Sequence, residues 1–170
     1  GHGGDGKTSL LESCLYLTKA TDRLGKVADG NTVSDYDPEE IRRKISISAT
    51  LAPVEFDGNK INVIDVPGFF DFVGETVEAL RVSDAGIIVF SAKGGVTVGA
   101  QKAWRNLKAK GLPCAIYVSK IDEEHADFYK AYNDAKSIFG ISVAPVVIPI
   151  MENGTTVGVV DVVTKKAYKA

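Results

Sequence analysis

Cysteine, methionine and tryptophan are scarce, at 2, 1 and 1 among 170 residues. Two cysteines cannot staple a small secreted scaffold, so the disulfide-dense class is excluded. Cys14 and Cys114 each sit in an apolar run, Leu10 to Leu17 and Leu112 to Val118. Both read as buried free thiols in a reducing compartment. No stretch approaches the roughly 20 apolar residues of a membrane-spanning helix, and no signal-peptide pattern stands at the start. The expectation is a cytoplasmic protein with no membrane partner. An excess of one charge is missing too: 20 Lys and Arg face 22 Asp and Glu, a formal net charge of -2. That excludes binding nucleic acid by bulk charge, so no DNA partner is expected, and leaves room only for a small local patch. Internal repeats and low-complexity tracts are absent as well.

What is present is a chain 45% hydrophobic and 25% charged, long enough to bury a core of its own. Its pattern is strand and helix in alternation. Leu10, Leu11, Cys14 and Leu15 share a helical face directly after Gly1 to Thr8. Residues 21 to 44 are polar, with Asp29-Gly30, Asp37-Pro38 and a run of charges, and read as one long functional or mobile loop. Ile45 to Phe56 alternates as a strand, and Asp57-Gly58-Asn59 turns it into a second, Lys60 to Asp65. Ala85 to Phe90, Pro113 to Val118 and Val143 to Ile150 are apolar on both faces, as strands covered by helices are. Helices are expected over Val98 to Lys110 and Glu123 to Phe139, closed by Gly111 and Gly140. This alternation points to a mainly parallel α/β sheet.

The chemistry begins at Gly1-His2-Gly3-Gly4-Asp5-Gly6-Lys7-Thr8, which fits G-x-x-x-x-G-K-[ST] before a helix. Glycines let successive backbone N–H groups turn onto a phosphate with no Cβ in the way. The helix N-terminus adds partial positive charge. Gly3, Gly4, Asp5, Gly6, Lys7, Thr8 and Ser9 are the phosphate-binding candidates. Lys7 would reach the outer phosphates and the Thr8 hydroxyl would ligate Mg²⁺. His2 reads as structural; no Cys/His/Asp cluster at ligand spacing accompanies it.

A phosphate loop needs an acidic residue at a strand end to hold the metal. Asp65-Val66-Pro67-Gly68 supplies Asp65, with the Gly68 N–H free for a terminal phosphate. Ser119-Lys120-Ile121-Asp122 follows an apolar strand. It is similar to the N-K-x-D base-recognition motif, with Ser in place of Asn. Asp122 would accept from the imino and amino groups of guanine, where adenine presents an acceptor. The Lys120 stem would lie along the base. The alternative is a helix N-cap at Asp122 ahead of Glu123 and Glu124. Ser91-Ala92-Lys93 mimics a final guanine motif but precedes Ser119 to Asp122, and reads as a strand end.

In this order, Gly1–Thr8, Ile45-Ser46-Ile47, Asp65–Gly68 and Ser119–Asp122 resemble a translational GTPase of the elongation factor G and ribosomal-protection branch. Gly158-Val159-Val160-Asp161 and Lys166-Ala167-Tyr168 resemble the start of the subdomain inserted in elongation factor G. The resemblance implies an α/β P-loop NTPase fold with a three-layer sheet, GTP/GDP and Mg²⁺ as cofactors, and the ribosome as partner. It implies a P-loop GTPase core over 1–150 and the start of the inserted subdomain over 151–170. Ser46 matches the switch threonine that ligates Mg²⁺, giving Thr8, Ser46 and Asp65 as metal candidates. Residues 30 to 44 would be the first switch, and Phe69 to Phe72 would begin the second. With no strand ahead of Gly1 and no last guanine loop, the sheet is expected to be incomplete, as in an excerpt from a longer protein that alone is poorly stable and binds nucleotide weakly or not at all.

The departures carry as much information. The family has His after Asp-x-Pro-Gly, and Phe69 stands there. Phenylalanine has no hydrogen-bonding group with which to orient water, so hydrolysis should fall steeply. The family's acidic residue at the fourth loop position is Gly4, with Asp5 one place on, which puts a monovalent-cation site in doubt. Ser119 for Asn should weaken the tie between base loop and phosphate loop. Together these changes imply a divergent elongation factor G-like paralogue.

Overall fold

The computed structural model describes every residue except 153 and 170, so the expected unit 151–170 is described at all but those two positions. The phosphate-loop sequence leads into α1 (Lys7–Leu17), whose N-cap is Gly6 at φ 91°. Leu11 and Leu15 of α1 bury themselves against Ala52 and Val54. These two belong to β1 (Thr50–Phe56), which pairs antiparallel with β2 (Asn59–Asp65). The tight turn between them has Asp57 at φ 50° and Gly58 at φ 73°, the two left-handed residues of a type I′ hairpin.

The main core lies elsewhere. β3 (Gly86–Ser91) and β4 (Cys114–Ser119) run parallel, with Gly86 opposite Cys114 and Ser91 opposite Ser119. Ile88 and Phe90 are fully buried under α4 (Val98–Ala109) and α5 (Phe128–Phe139), against Ala100, Leu107, Ala131, Ala135 and Phe139. Trp104 stacks on Phe139 with ring centroids 4.8 Å apart. α4 matches its expected span within a residue, and Ser91 is the last residue of β3, as its reading as a strand end requires.

Five expectations are corrected. The polar stretch 21–44 is not structureless: it holds a 3₁₀ turn, Val27–Asp29, and a short helix, α2 (Pro38–Arg43). Asp37 and Glu40 form a capping box with Pro38 at the first helical position, a start signal already visible in Asp-Pro-Glu-Glu. The first strand begins at Thr50 rather than Ile45, because the amides before it bond to carboxylates and not to a ladder. An unanticipated helix, α3 (Val73–Val82), follows the 3₁₀ turn Phe70–Phe72. Only Ala79 of α3 is buried, while Val73, Val77 and Val82 stay exposed. α5 starts at Phe128, where Asp127 Oδ1 accepts from the Lys130 amide at 2.9 Å.

The fifth correction concerns the expected mainly parallel sheet: the described strands form three separate sheets, of which only the β3–β4 pair is parallel. Val143 only packs on the core, while β5 (Val147–Glu152) joins β6 (Thr155–Asp161) and β7 (Lys166–Lys169) in a separate antiparallel sheet. Pro145 and Pro149 lack the N–H that a central strand must donate, and β5 is an edge strand. Among the described residues, no ladder joins β2 to β3. No described helix is long and apolar enough to cross a membrane.

Candidate nucleotide site

Gly4 and Gly6 adopt φ 81° and 91°, a left-handed backbone that an L side chain would strain. The loop they shape is braced from inside. Asp5 is buried, and its Oδ2 accepts from the His2 amide at 2.7 Å and lies 3.3 Å from the Thr97 hydroxyl, which can donate to it. The acid displaced by one position therefore binds the loop's own backbone. Lys7 reaches back over the loop, its Nζ donating to the His2 carbonyl at 2.8 Å. Burial lowers the Lys7 ammonium from its ordinary range, opposed by Asp65, Asp5 and Asp35.

Three oxygen-bearing side chains converge beside it. Thr8 Oγ1 donates to Asp65 Oδ2 at 2.6 Å and sits 3.2 Å from Ser46 Oγ. All three metal candidates thus meet in one place, although Thr8 and Ser46 are 38 positions apart. A fourth group was missed from the sequence: Asp35 Oδ1 accepts from Ser46 Oγ at 2.7 Å, and its buried Oδ2 has no partner. One acidic residue in a polar loop gave no signal, since only the folding-back of residues 30–46 brings it there. Burial raises both carboxyls above the ordinary aspartate range. Thr8 and Lys7 oppose this at Asp65, and Ser46 does so at Asp35.

The donors fit a hard cation. An all-oxygen set of two hydroxyls and two carboxyls, one with an orphaned buried oxygen, suits Mg²⁺, which takes few protein ligands. No group of three or more His, Cys, Asp or Glu that could hold a metal occurs among the described residues. A nucleotide and water would have to complete the coordination.

An open cleft of about 210 Å³ runs past these groups. Gly3, Gly4, Gly6, Lys7, Thr8, Ser9, Ser46, Gly68, Phe69 and Lys120 line it, joined by Asp35, Val27, Lys44 and Ile45. Gly68 abuts the loop so closely that a Cβ there would lie 2.6 Å from the Gly3 amide nitrogen. The Phe69 ring lies on Gly3, where an added Cβ would be 2.5 Å from it. His2 packs between Phe69 and Phe70, with centroids 5.9 and 5.6 Å away. Lys102 of α4 sits 3.9 Å above the Phe70 ring, a cation–π contact that pins this turn.

Ser119, expected to weaken the tie to the phosphate loop, makes one: its Oγ donates to the Asp5 carbonyl at 2.6 Å. Asp122 is exposed in the turn after β4 and does not line the cleft. It is not a helix cap either, since Asp127 holds that place. Lys120 has φ 55° and pairs with Glu123 at 3.1 Å. Cys14 and Cys114 are free and half-buried, with thiols raised by burial.

A Gly-rich loop opening a helix, its lysine folded over it and an acidic strand end beside its threonine match the pattern of the P-loop nucleotide-binding class, in an α/β domain. Comparison with known proteins makes the class specific. The family model for the elongation factor Tu GTP binding domain matches residues 1–169, and the chain belongs to that family. Its relatives include an elongation factor G-like protein of Mycobacterium tuberculosis, 37% identical over 88% of this chain and 21% of the relative. Elongation factor G 2 of Saccharophagus degradans is also 37% identical, over 98% of this chain and 24% of its own length. A solved protein of Thermus thermophilus superposes with a TM-score of 0.94 at 39% identity, covering 99% of this chain and 25% of the other. The chain spans about a quarter or less of the length of these relatives.

Proposed function

We propose that this chain is the GTP-binding domain of an elongation factor G-like translation factor that hydrolyses GTP to GDP and phosphate in connection with the ribosome. The observation that carries the reading is that Lys7, Thr8 and Ser46 line one cleft, where Thr8 meets both Ser46 and the Asp65 carboxyl. Relatives named elongation factor G support the ribosome as partner. In this reading residues 1–150 form the core and 151–170 begin the inserted subdomain.

The loop amides and Lys7 grip the phosphates, and Gly68 offers its amide to the terminal one. Thr8 and Ser46 would ligate Mg²⁺ with Asp65 and Asp35 facing it, and the ion would neutralise charge building between the outer phosphates. Asp122 and Lys120 read the base, held at the right distance by Ser119. Asp122 is exposed, so its carboxylate is available to the guanine edge.

A second reading rests on Phe69. It has no group to orient an attacking water, and its ring lies on Gly3 at the mouth of the phosphate site. The domain would then be a GTP-gated ribosome-binding module with little hydrolysis. Multiple-turnover phosphate release with and without ribosomes separates the two; no ribosome-stimulated release favours the module. Under the second reading, Phe69→His raises ribosome-dependent turnover by about 10²-fold, the scale of one positioned proton-handling group. An unchanged rate in that variant contradicts the assignment of position 69.

A further inference from the structure

The segment carrying the Ser46 hydroxyl toward Thr8 lies outside regular structure between Ile45 and Thr50. Amides outside helices and ladders must find acceptors elsewhere, and here three in a row end on carboxylates. Ile47 and Ser48 donate to Glu40 Oε1 at 2.8 and 3.0 Å. Ala49 donates to Glu75 Oε2 at 2.6 Å.

The two acceptors differ in origin. Glu40 is buried in α2, within the same polar stretch, where its other oxygen accepts from the Asp37 amide at 3.2 Å. Glu75 comes from the first turn of α3, directly after the turn that holds Phe69 against Gly3. One end of the Ser46 segment is therefore tied to its own loop, and the other to the segment that follows Gly68.

We propose that Glu75 is a positioning residue that makes the place of the Ser46 hydroxyl depend on the second switch. The inference rests on the nucleotide reading above. Glu75 does not line the cleft and acts through the Ala49 amide. A shift of Gly68 to Phe72 carries the start of α3, and with it the carboxylate, away from Ala49. A charge-assisted bond of this kind is short and strong, so its loss leaves the Ser46 segment anchored by Glu40 alone. The two switches then change state together rather than independently.

The test uses Glu75→Ala, Glu75→Gln, Ser46→Ala and the double variant Glu75→Ala/Ser46→Ala. Dissociation of a fluorescent non-hydrolysable GTP analogue is followed across Mg²⁺ concentrations. Glu75→Ala should raise the Mg²⁺ concentration needed for half-maximal retention about tenfold, the scale of one hydrogen bond to a charged group. Glu75→Gln keeps an acceptor oxygen and should restore most of it. In the Ser46→Ala background, Glu75→Ala should add nothing. An unchanged midpoint in Glu75→Ala, or an equal shift with and without Ser46, overturns the proposal. Hydrogen exchange of the nucleotide-free protein supplies a readout independent of ligand: the Ala49 amide should exchange about tenfold faster in Glu75→Ala but not in Glu75→Gln. Unchanged exchange there also overturns it. Absence of guanine-nucleotide binding by the wild-type protein overturns the functional reading instead, and the exchange result still decides whether Glu75 holds the segment.

Discussion

Ser119→Ala removes one hydroxyl from the junction between β4 and the phosphate loop. Ser119 is buried, and its Oγ donates to the Asp5 carbonyl at 2.6 Å, with the Phe90 carbonyl at 3.3 Å. Alanine fits the same space, so no steric change accompanies the loss. The buried Asp5 carbonyl is left without this donor. An orphaned buried carbonyl costs about 1–3 kcal/mol. The bond spans 114 positions, so no local rearrangement can replace it. Part of the cost should appear in global stability, read from the midpoint of urea denaturation at constant m-value. The rest should appear as weaker guanine-nucleotide binding, because Asp5 sits between the glycines that shape the loop; about 1.4 kcal/mol in binding is tenfold in Kd. If stability and Kd together move by less than about 0.3 kcal/mol, the junction does not hold the loop and the argument fails.

Lys7→Ala should abolish nucleotide binding, leaving no micromolar affinity by fluorescence titration. It should cost the nucleotide-free fold little, because the ammonium it removes is one that burial disfavours. Retained micromolar affinity contradicts the phosphate-loop role. The pH dependence has a defined sign. Asp65 and Asp35 are raised by burial, so the folded chain holds their protons more tightly than the unfolded one. Their contribution to stability falls as pH rises from the unfolded carboxylate value, about 4, through the raised values. A bound divalent cation offsets that penalty by favouring the charged forms. Magnesium affinity of the nucleotide complex should therefore weaken as pH falls from about 7.5 toward about 5, with proton release on binding. A pH-independent Mg²⁺ titration, with no proton release in weakly buffered solution, contradicts the assignment of these carboxyls. The Phe69→His and Glu75 series described above complete the set.

Much of the site is legible in one dimension because its parts are local. Gly4, Gly6 and Lys7 are constrained by backbone geometry within eight residues, and that constraint leaves a residue pattern. The same holds for Asp57-Gly58, whose left-handed turn is written in two letters, and for the apolar runs of β3 and β4. The helix start at Asp37-Pro38 was equally local, yet charge density in that stretch masked it. α3 packs lightly, burying only Ala79, and follows directly on the Phe70–Phe72 turn, so no separate start signal sets it apart.

Sequence alone determined that a phosphate-gripping loop opens a helix in an α/β domain, since glycine torsions, capping and apolar periodicity act between near neighbours. Only the tertiary structure decided which distant groups share the cation site and how the loops are held. Asp35 beside Ser46, Ser119 on Asp5, Phe69 on Gly3 and Glu75 on Ala49 are contacts between separate elements. Each depends on how packing brings those elements together, and hydrogen bonds across such distances leave no periodic mark on the chain.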